Sequence, residues 1–188
     1  MVLQKKIDTW KLKKWFTVYA PKEFGNAPIG EMPANDEKAA IGRNIMVGLD
    51  TITHNPSNAY TKVKFKVVSV DGASAHTKLV QIEQLNSYIR SLVRRYRSIV
   101  SAVQMLDSKD GAKVVTKVIA ITRSRTAHSK IVGMRKEIEG FMASFVKDND
   151  LESIINAING NKLQSELASR LSHIAQIGKV EIKKLEVH

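Results

Sequence analysis

Apolar and polar positions alternate most cleanly over residues 60–70, where Val63, Phe65 and Val67 point one way and Lys62, Lys64 and Lys66 the other. Period two with one apolar and one basic face predicts a half-buried strand, ended at Asp71-Gly72. Residues 15–19 have strand-forming composition and stop at Pro21; Trp15 and Phe16 are expected to anchor this strand in the core. Residues 22–43, with Pro28, Pro33, Gly25, Gly30 and Gly42, read as a loop holding one helical turn around Asp36. Residues 44–52 are apolar and β-branched enough for a strand, and His54-Asn55-Pro56-Ser57-Asn58 is a turn. A short strand follows over 79–82.

Residues 85–97 read as a helix, with Leu85, Tyr88, Ile89, Leu92, Val93 and Tyr96 on one face and Arg90, Arg94 and Arg97 opposite. The strand-like runs 99–106 and 112–122 flank Asp110-Gly111, a strong hairpin signal. The period then changes. Ile131, Met134, Ile138, Phe141, Met142 and Phe145 fall at helical spacing, predicting an amphipathic helix over 128–147. Asp150 is placed to cap a second helix with Leu151, Ile154, Ile155 and Ile158 inward. Asn159-Gly160 stops it, and Asn161 opens a third with Gln164 at the capping-box position. Alternation resumes in a final strand over 179–187, broken by a bulge at Lys183-Lys184. Strands, then a helical block, then a returning strand predict an α+β fold. The antiparallel sheet is expected to be barrel-like, with the C-terminal helical block packed on it.

Charge sharpens this picture. Thirty Lys+Arg against eighteen Asp+Glu give +12, and the pI near 9.9 is that of a nucleic-acid binder. The excess is not spread evenly. Residues 1–83 are net +4, residues 84–136 net +10 and residues 137–188 net −2. Like charges gathered in one segment repel one another in the folded chain, and a polyanion relieves that repulsion. Residues 1–14 read as a basic N-terminal arm, ahead of a single RNA-binding domain over 15–188. Trp10, among the arm's lysines, is open to either packing or base stacking.

Motifs for catalysis are missing. There is no GxxxxGK[ST] or GxGxxG phosphate loop, no GxSxG, and no HExxH among five scattered histidines. No cysteine is present, so disulfides and cysteine-ligated metals are excluded, and no cofactor is expected. No apolar run suits a signal peptide or the roughly 20 residues of a membrane helix; no membrane partner is expected. The Asp148/Asp150 pair has the look of loop and cap chemistry. By contrast Arg90, Arg94, Arg95 and Arg97 are expected on one helix edge, and Arg123-Ser124-Arg125-Thr126 follows a strand, with Lys130 and Arg135 soon after. Arginine's planar fork suits bidentate phosphate contacts. The candidate RNA-binding set is Lys5, Lys6, Lys11, Lys13 and Lys14 of the arm with Arg90, Arg94, Arg95, Arg97, Arg123, Arg125, Lys130 and Arg135.

Several stretches resemble a known family. Lys14-Trp15-Phe16-Thr17-Val18-Tyr19-Ala20-Pro21-Lys22-Glu23-Phe24 is similar to the opening of the archaeal and eukaryotic small-subunit ribosomal protein family 3Ae. So are Ile41-Gly42-Arg43, Ser91-Leu92-Val93-Arg94-Arg95, Ile119-Ala120-Ile121-Thr122-Arg123 and Arg135-Lys136-Glu137-Ile138, and the short length resembles the archaeal form. The resemblance implies a non-enzymatic component of the small subunit, cytoplasmic in the ribosome, on the platform near the messenger exit. Its implied partners are small-subunit ribosomal RNA and neighbouring ribosomal proteins, with messenger RNA near the exit as a further one. A free RNA-binding regulator or RNA chaperone is the alternative. Such a protein would more often carry aromatics regularly placed on one sheet face.

Overall fold

The computed structural model describes Trp10 and residues 13–187. Eight strands belong to one hydrogen-bonded sheet, and the chain divides into two compact units, Met1–Val47 with Lys64–Leu79 and Gly48–Val63 with Val80–His188.

In the first unit, β1 (Lys14–Tyr19) pairs antiparallel with β2 (Pro28–Ala34), Lys14 opposite Ala34 and Phe16 opposite Met32. Residues 28–34 were expected in a loop. Pro28 and Pro33 are tolerated in a strand here because β2 is the outermost one, where an absent N–H breaks no ladder. Phe16, Val18, Met32, Ala34, Ala40, Val67 and Ala75 form the core, and the single turn α1 (Glu37–Ala40) sits where a turn was expected. Trp15 departs from expectation. Alternation along β1 buries Phe16 and Val18 and turns Trp15 outward, 56% exposed, because successive side chains of a strand cannot share a face. Gly42, at φ +84, lets its N–H reach Val67 O at 2.9 Å while Arg43 O accepts from Val67 N–H at 2.9 Å. A side chain is disfavoured at that φ.

The 11-residue strands β4 (Thr61–Asp71) and β5 (Ser74–Gln84) turn at Gly72, φ +60, and bury Val63, Phe65 and Val67 as the alternation requires. β5 is far longer than the short strand expected at 79–82. The strand expected over 44–52 is β3 (Asn44–Gly48), after which Leu49–Thr53 forms the helix α2. Thr53 Oγ donates to Leu49 O at 2.8 Å, and His54 closes the helix in a left-handed conformation, φ +53.

In the second unit, β5 pairs with β8 (Ile177–Val187), β8 with β7 (Lys113–Thr122), and β7 with β6 (Ile99–Asp107), all antiparallel. Gly111, φ +77, lies in the β6–β7 turn. Lys117 faces Lys184 and Val118 faces Ile182, so Lys183 is the extra residue of the expected bulge. A second irregularity falls at Gly178, where a Cβ would stand 3.2 Å from Ile121 O.

The helix expected over 85–97 stops early, as α3 (Asn86–Leu92). Val93 is extended and Tyr96 left-handed, φ +62. A longer helix would set Arg90, Arg94 and Arg97 at i, i+4 and i+7, where like charges repel, and Ser98 instead bonds to Thr122 at the end of β7. The helices α4 (His128–Asp148), α5 (Leu151–Asn159) and α6 (Lys162–Ser172) bury Met134, Ile138, Phe141, Met142, Ile154, Ile155, Leu163 and Leu167. Both expected side-chain caps fail. Asp150 holds the cap position of α5, but its carboxylate pairs with Lys109 Nζ at 3.6 Å. The Leu151 N–H donates to Asp110 of the hairpin turn at 2.9 Å. Asn161 makes no cap bond, and Gln164 donates to Ile158 O at 3.2 Å.

The pairing path runs β2-β1-β5-β8-β7-β6, with β4 and then β3 branching from β5. It does not close on itself, and β1 runs parallel to β5. The fold is α+β, with an open sheet of mixed direction in place of the expected antiparallel, barrel-like one.

Candidate nucleic-acid interface

The central arginines are positioned by one strand end. Thr122, 1% exposed, donates its N–H to Ser98 O at 3.0 Å and accepts from Ser98 N–H through its hydroxyl at 2.9 Å. The same hydroxyl lies 2.7 Å from Ser124 O, and Ser98 Oγ accepts from Thr126 N–H at 3.1 Å. These bonds splice the segment leaving α3 to the segment leaving β7. Arg97 and Arg123 are thereby brought to neighbouring positions on antiparallel chains, with Arg94, Arg95 and Arg125 close in sequence. All five are exposed, and none of their guanidiniums bonds to another described residue.

Arg125 and Lys130 line a shallow concavity of about 330 Å³ with Ser124, Thr126 and Gln176. The first turn of α4 begins there at Ala127, which offers no side-chain cap. Free N–H groups of that turn add partial positive charge to the two cations. Arg90 is exposed on α3. Arg94, Arg95 and Arg97 lie beyond the helix and do not share its edge as expected. Arg135 is exposed on α4 but committed in part, donating Nε–H to Ser101 O at 3.2 Å. The only acids of residues 84–136, Asp107 and Asp110, sit at the opposite end of the hairpin. Eight residues of strand put them about 26 Å away, so the arginine end keeps its charge unneutralised by this segment.

Of the basic arm, Lys5, Lys6 and Lys11 lie outside the described residues. Lys14 is exposed on β1 and lines a concavity with Trp15 and Lys38, although Asp36 and Glu37 share it. Lys13 Nζ stands over the Trp10 ring at 4.1 Å.

Sequence reasoning missed a polar cluster in the second unit. The Tyr60 and Tyr88 rings stack at 4.6 Å. Tyr88 OH donates to Glu181 Oε1 at 2.9 Å, Gln84 Nε2 donates to Oε2 at 2.5 Å, and Lys179 Nζ pairs with Oε1 at 2.9 Å and donates to Tyr88 OH. Glu181 is 5% exposed, and these donors are what make a buried carboxylate tolerable. Burial raises the Tyr88 pKa, aided by Glu181 and opposed by Lys179. For Lys179 burial acts downward, but hydrogen bonds to Tyr88 and Glu181 and their charges outweigh it, and the pKa rises. The one sequence signal was a glutamate between the inward residues Val180 and Ile182.

Among the described residues no group of side chains could hold a metal, and no helix is long and apolar enough to cross a membrane. These features define a basic α+β protein whose arginines are displayed and whose buried Glu181 is engaged in structure. A sequence model of the ribosomal S3Ae family matches residues 2–188. The chain is 34% identical over 182 residues to small ribosomal subunit protein eS1 of Pyrobaculum neutrophilum, spanning 97% of this chain and 82% of that one. It is 33% identical over 180 residues to the proteins of that name from Methanothermobacter thermautotrophicus (96% and 92% covered) and Methanobrevibacter smithii (96% and 93%). The chain belongs to the ribosomal S3Ae family, in its archaeal form. It is a structural, non-enzymatic ribosomal protein, and its place is the ribosome, in the cytoplasm.

Proposed function

We propose that the chain is a constituent of the small ribosomal subunit that binds ribosomal RNA through the arginine end of the β6–β7 hairpin. The observation that carries this is the joining of Arg94, Arg95 and Arg97 to Arg123, Arg125 and Lys130 by the Ser98–Thr122 bonds. No acid of the central segment lies near them. Exposed arginines beside Ser and Thr hydroxyls and the free N–H groups of a helix start suit phosphate oxygens. Lys13 and Lys14, with Lys5, Lys6 and Lys11 of the arm, add a second basic stretch, and Arg90 and Arg135 extend the first. In this reading the protein also touches neighbouring small-subunit proteins, on the platform near the messenger exit, where messenger RNA passes. The relatives' shared name supports the subunit; the finer placement follows the family resemblance.

Co-sedimentation tests it. The protein should remain with small subunits through a high-salt wash. A chain that binds RNA yet stays in the supernatant would instead be the free regulator or chaperone.

A further inference from the structure

The sheet face of the first unit that turns away from its core carries aromatic rings and lysines together. Phe16 and Val18 of β1, Val67 of β4 and Ala75 of β5 share one core, so the residues alternating with them share the opposite face. On β1 these are Trp15, which is exposed, and Tyr19, which is half-buried. On β5 they are the exposed His76 and Lys78. β5 pairs with β1 so that His76 stands beside Tyr19, and the two rings stack at 6.1 Å. On β4, the next strand, they are Lys64 and Lys66. Among the described residues no hydrogen bond or ion pair engages any of the three lysines. The acids lie mostly on the other flank of β1. Glu31 of β2 is opposite Thr17, and Asp36 and Glu37 border the concavity beside Trp15. Asp71 is taken up by His76 at 3.5 Å. The face is therefore polarised, with rings along β1 and unneutralised cations on β5 and β4.

We infer that this face binds an unpaired stretch of the small subunit's own RNA, its bases stacked on Trp15 and on the Tyr19–His76 pair and its phosphates held by Lys64, Lys66 and Lys78. This rests on the ribosomal RNA-binding reading above and adds a second surface to it. Trp15 and Tyr19 are four residues apart, about 13 Å along the strand, so each ring takes a base of its own. β5 and β4 lie about 5 and 10 Å to the side, where their lysines meet the backbone that joins those bases. Rings on a sheet for the bases, with cations for the phosphates, bind single strands with little regard to sequence. An apolar ring displayed in water favours a permanent cover. Ribosomal RNA is always present in the subunit, whereas a messenger passes through.

Two measurements test it. In the first, the full chain binds a fluorescently labelled uridine decamer or an RNA duplex of the same length. Trp15→Ala, at an exposed position, should weaken decamer binding about tenfold, the worth of one stacked base, and leave duplex binding unchanged. Lys64→Gln, Lys66→Gln and Lys78→Gln together should shrink the decamer's salt slope by roughly 0.7 for each phosphate no longer neutralised. In the second, salt-washed small subunits free of messenger are treated with a reagent that modifies unpaired bases. Subunits carrying the Trp15→Ala chain should expose ribosomal bases that the unaltered chain shields. Decamer affinity unmoved by Trp15→Ala, an equal loss on decamer and duplex, or an unchanged slope in the lysine variant overturns the face and leaves the arginine end standing. Shielding that appears only with added messenger, or no change at any ribosomal base, overturns the assignment to ribosomal RNA. Failure of the unaltered chain to bind either RNA removes both surfaces.

Discussion

Glu181 is buried between Val180 and Ile182 of β8, where a charge is tolerated only because Tyr88, Gln84 and Lys179 meet it, and the arrangement has a pH signature. Tyr88 and Lys179 both hold their protons more tightly in the folded chain than at their ordinary values of 10.0 and 10.5. Below those values both states are protonated and the stabilisation is complete. As pH rises through them the unfolded chain releases protons that the folded chain keeps, so stability falls. The melting temperature should drop as pH rises above about 10, and the triple variant Tyr88→Phe, Lys179→Met, Glu181→Gln should show a shallower drop. Equal slopes would mean the cluster does not couple to folding. Phe141 is a simpler case. It is 6% exposed, stacks on Phe145 at 5.9 Å and lies under the Arg170 guanidinium at 4.6 Å. Phe141→Ala should cost about 3–5 kcal/mol, read as a lower urea midpoint, and an unmoved midpoint would contradict its packing. Phe141 was legible from helical spacing alone. Trp15 was not: its apolar character argued for burial, but the pleat gave the inward position to Phe16.

At the scale of elements, strong periodicity was readable and weak periodicity was not. β4, the β6–β7 hairpin and α4 each carry one period over nine or more residues, and a packed face then agrees with local preference. β2 was hidden because its prolines read as loop until its edge position is known, and α2 because Leu49–Thr53 has strand-like composition. Capping misled for a different reason. A cap residue can be named from sequence, but the partner of its side chain depends on what the fold brings near. For α5 that is the hairpin turn, where Asp110 accepts the Leu151 N–H and leaves Asp150 to Lys109. Asp110→Ala should therefore destabilise by about 1 kcal/mol, the ordinary worth of a missing cap. Asp150→Ala breaks only a half-exposed ion pair and should cost less, about 0–1 kcal/mol. Denaturant titration of the two variants decides, and the reverse order would return the cap to Asp150.

For the whole molecule, the uneven distribution of charge is legible along the chain itself, since counting it requires no fold. Which charges meet is not: Arg97 and Arg123 become neighbours only through the Ser98–Thr122 pairing, and Tyr88 and Glu181 are 93 residues apart. The RNA interface is consequently best tested as a set. Replacing Arg90, Arg94, Arg95 and Arg97 together by Gln should leave the fold intact, because all four are exposed and no described hydrogen bond or ion pair uses their guanidiniums. A phosphate that the protein no longer neutralises keeps its counterion, so the slope of log affinity against log salt should shrink by roughly 0.7–0.9 for each such phosphate. Two to four of them would flatten the salt dependence visibly and lower incorporation into small subunits. The matched control, Lys147→Gln with Lys162→Gln, changes exposed cations of the acidic C-terminal third and should alter neither measurement. If both sets weakened RNA binding equally, or only the control set did, the arginine end of the hairpin would be no more than a solvated surface, and the RNA would have to be held elsewhere on the protein.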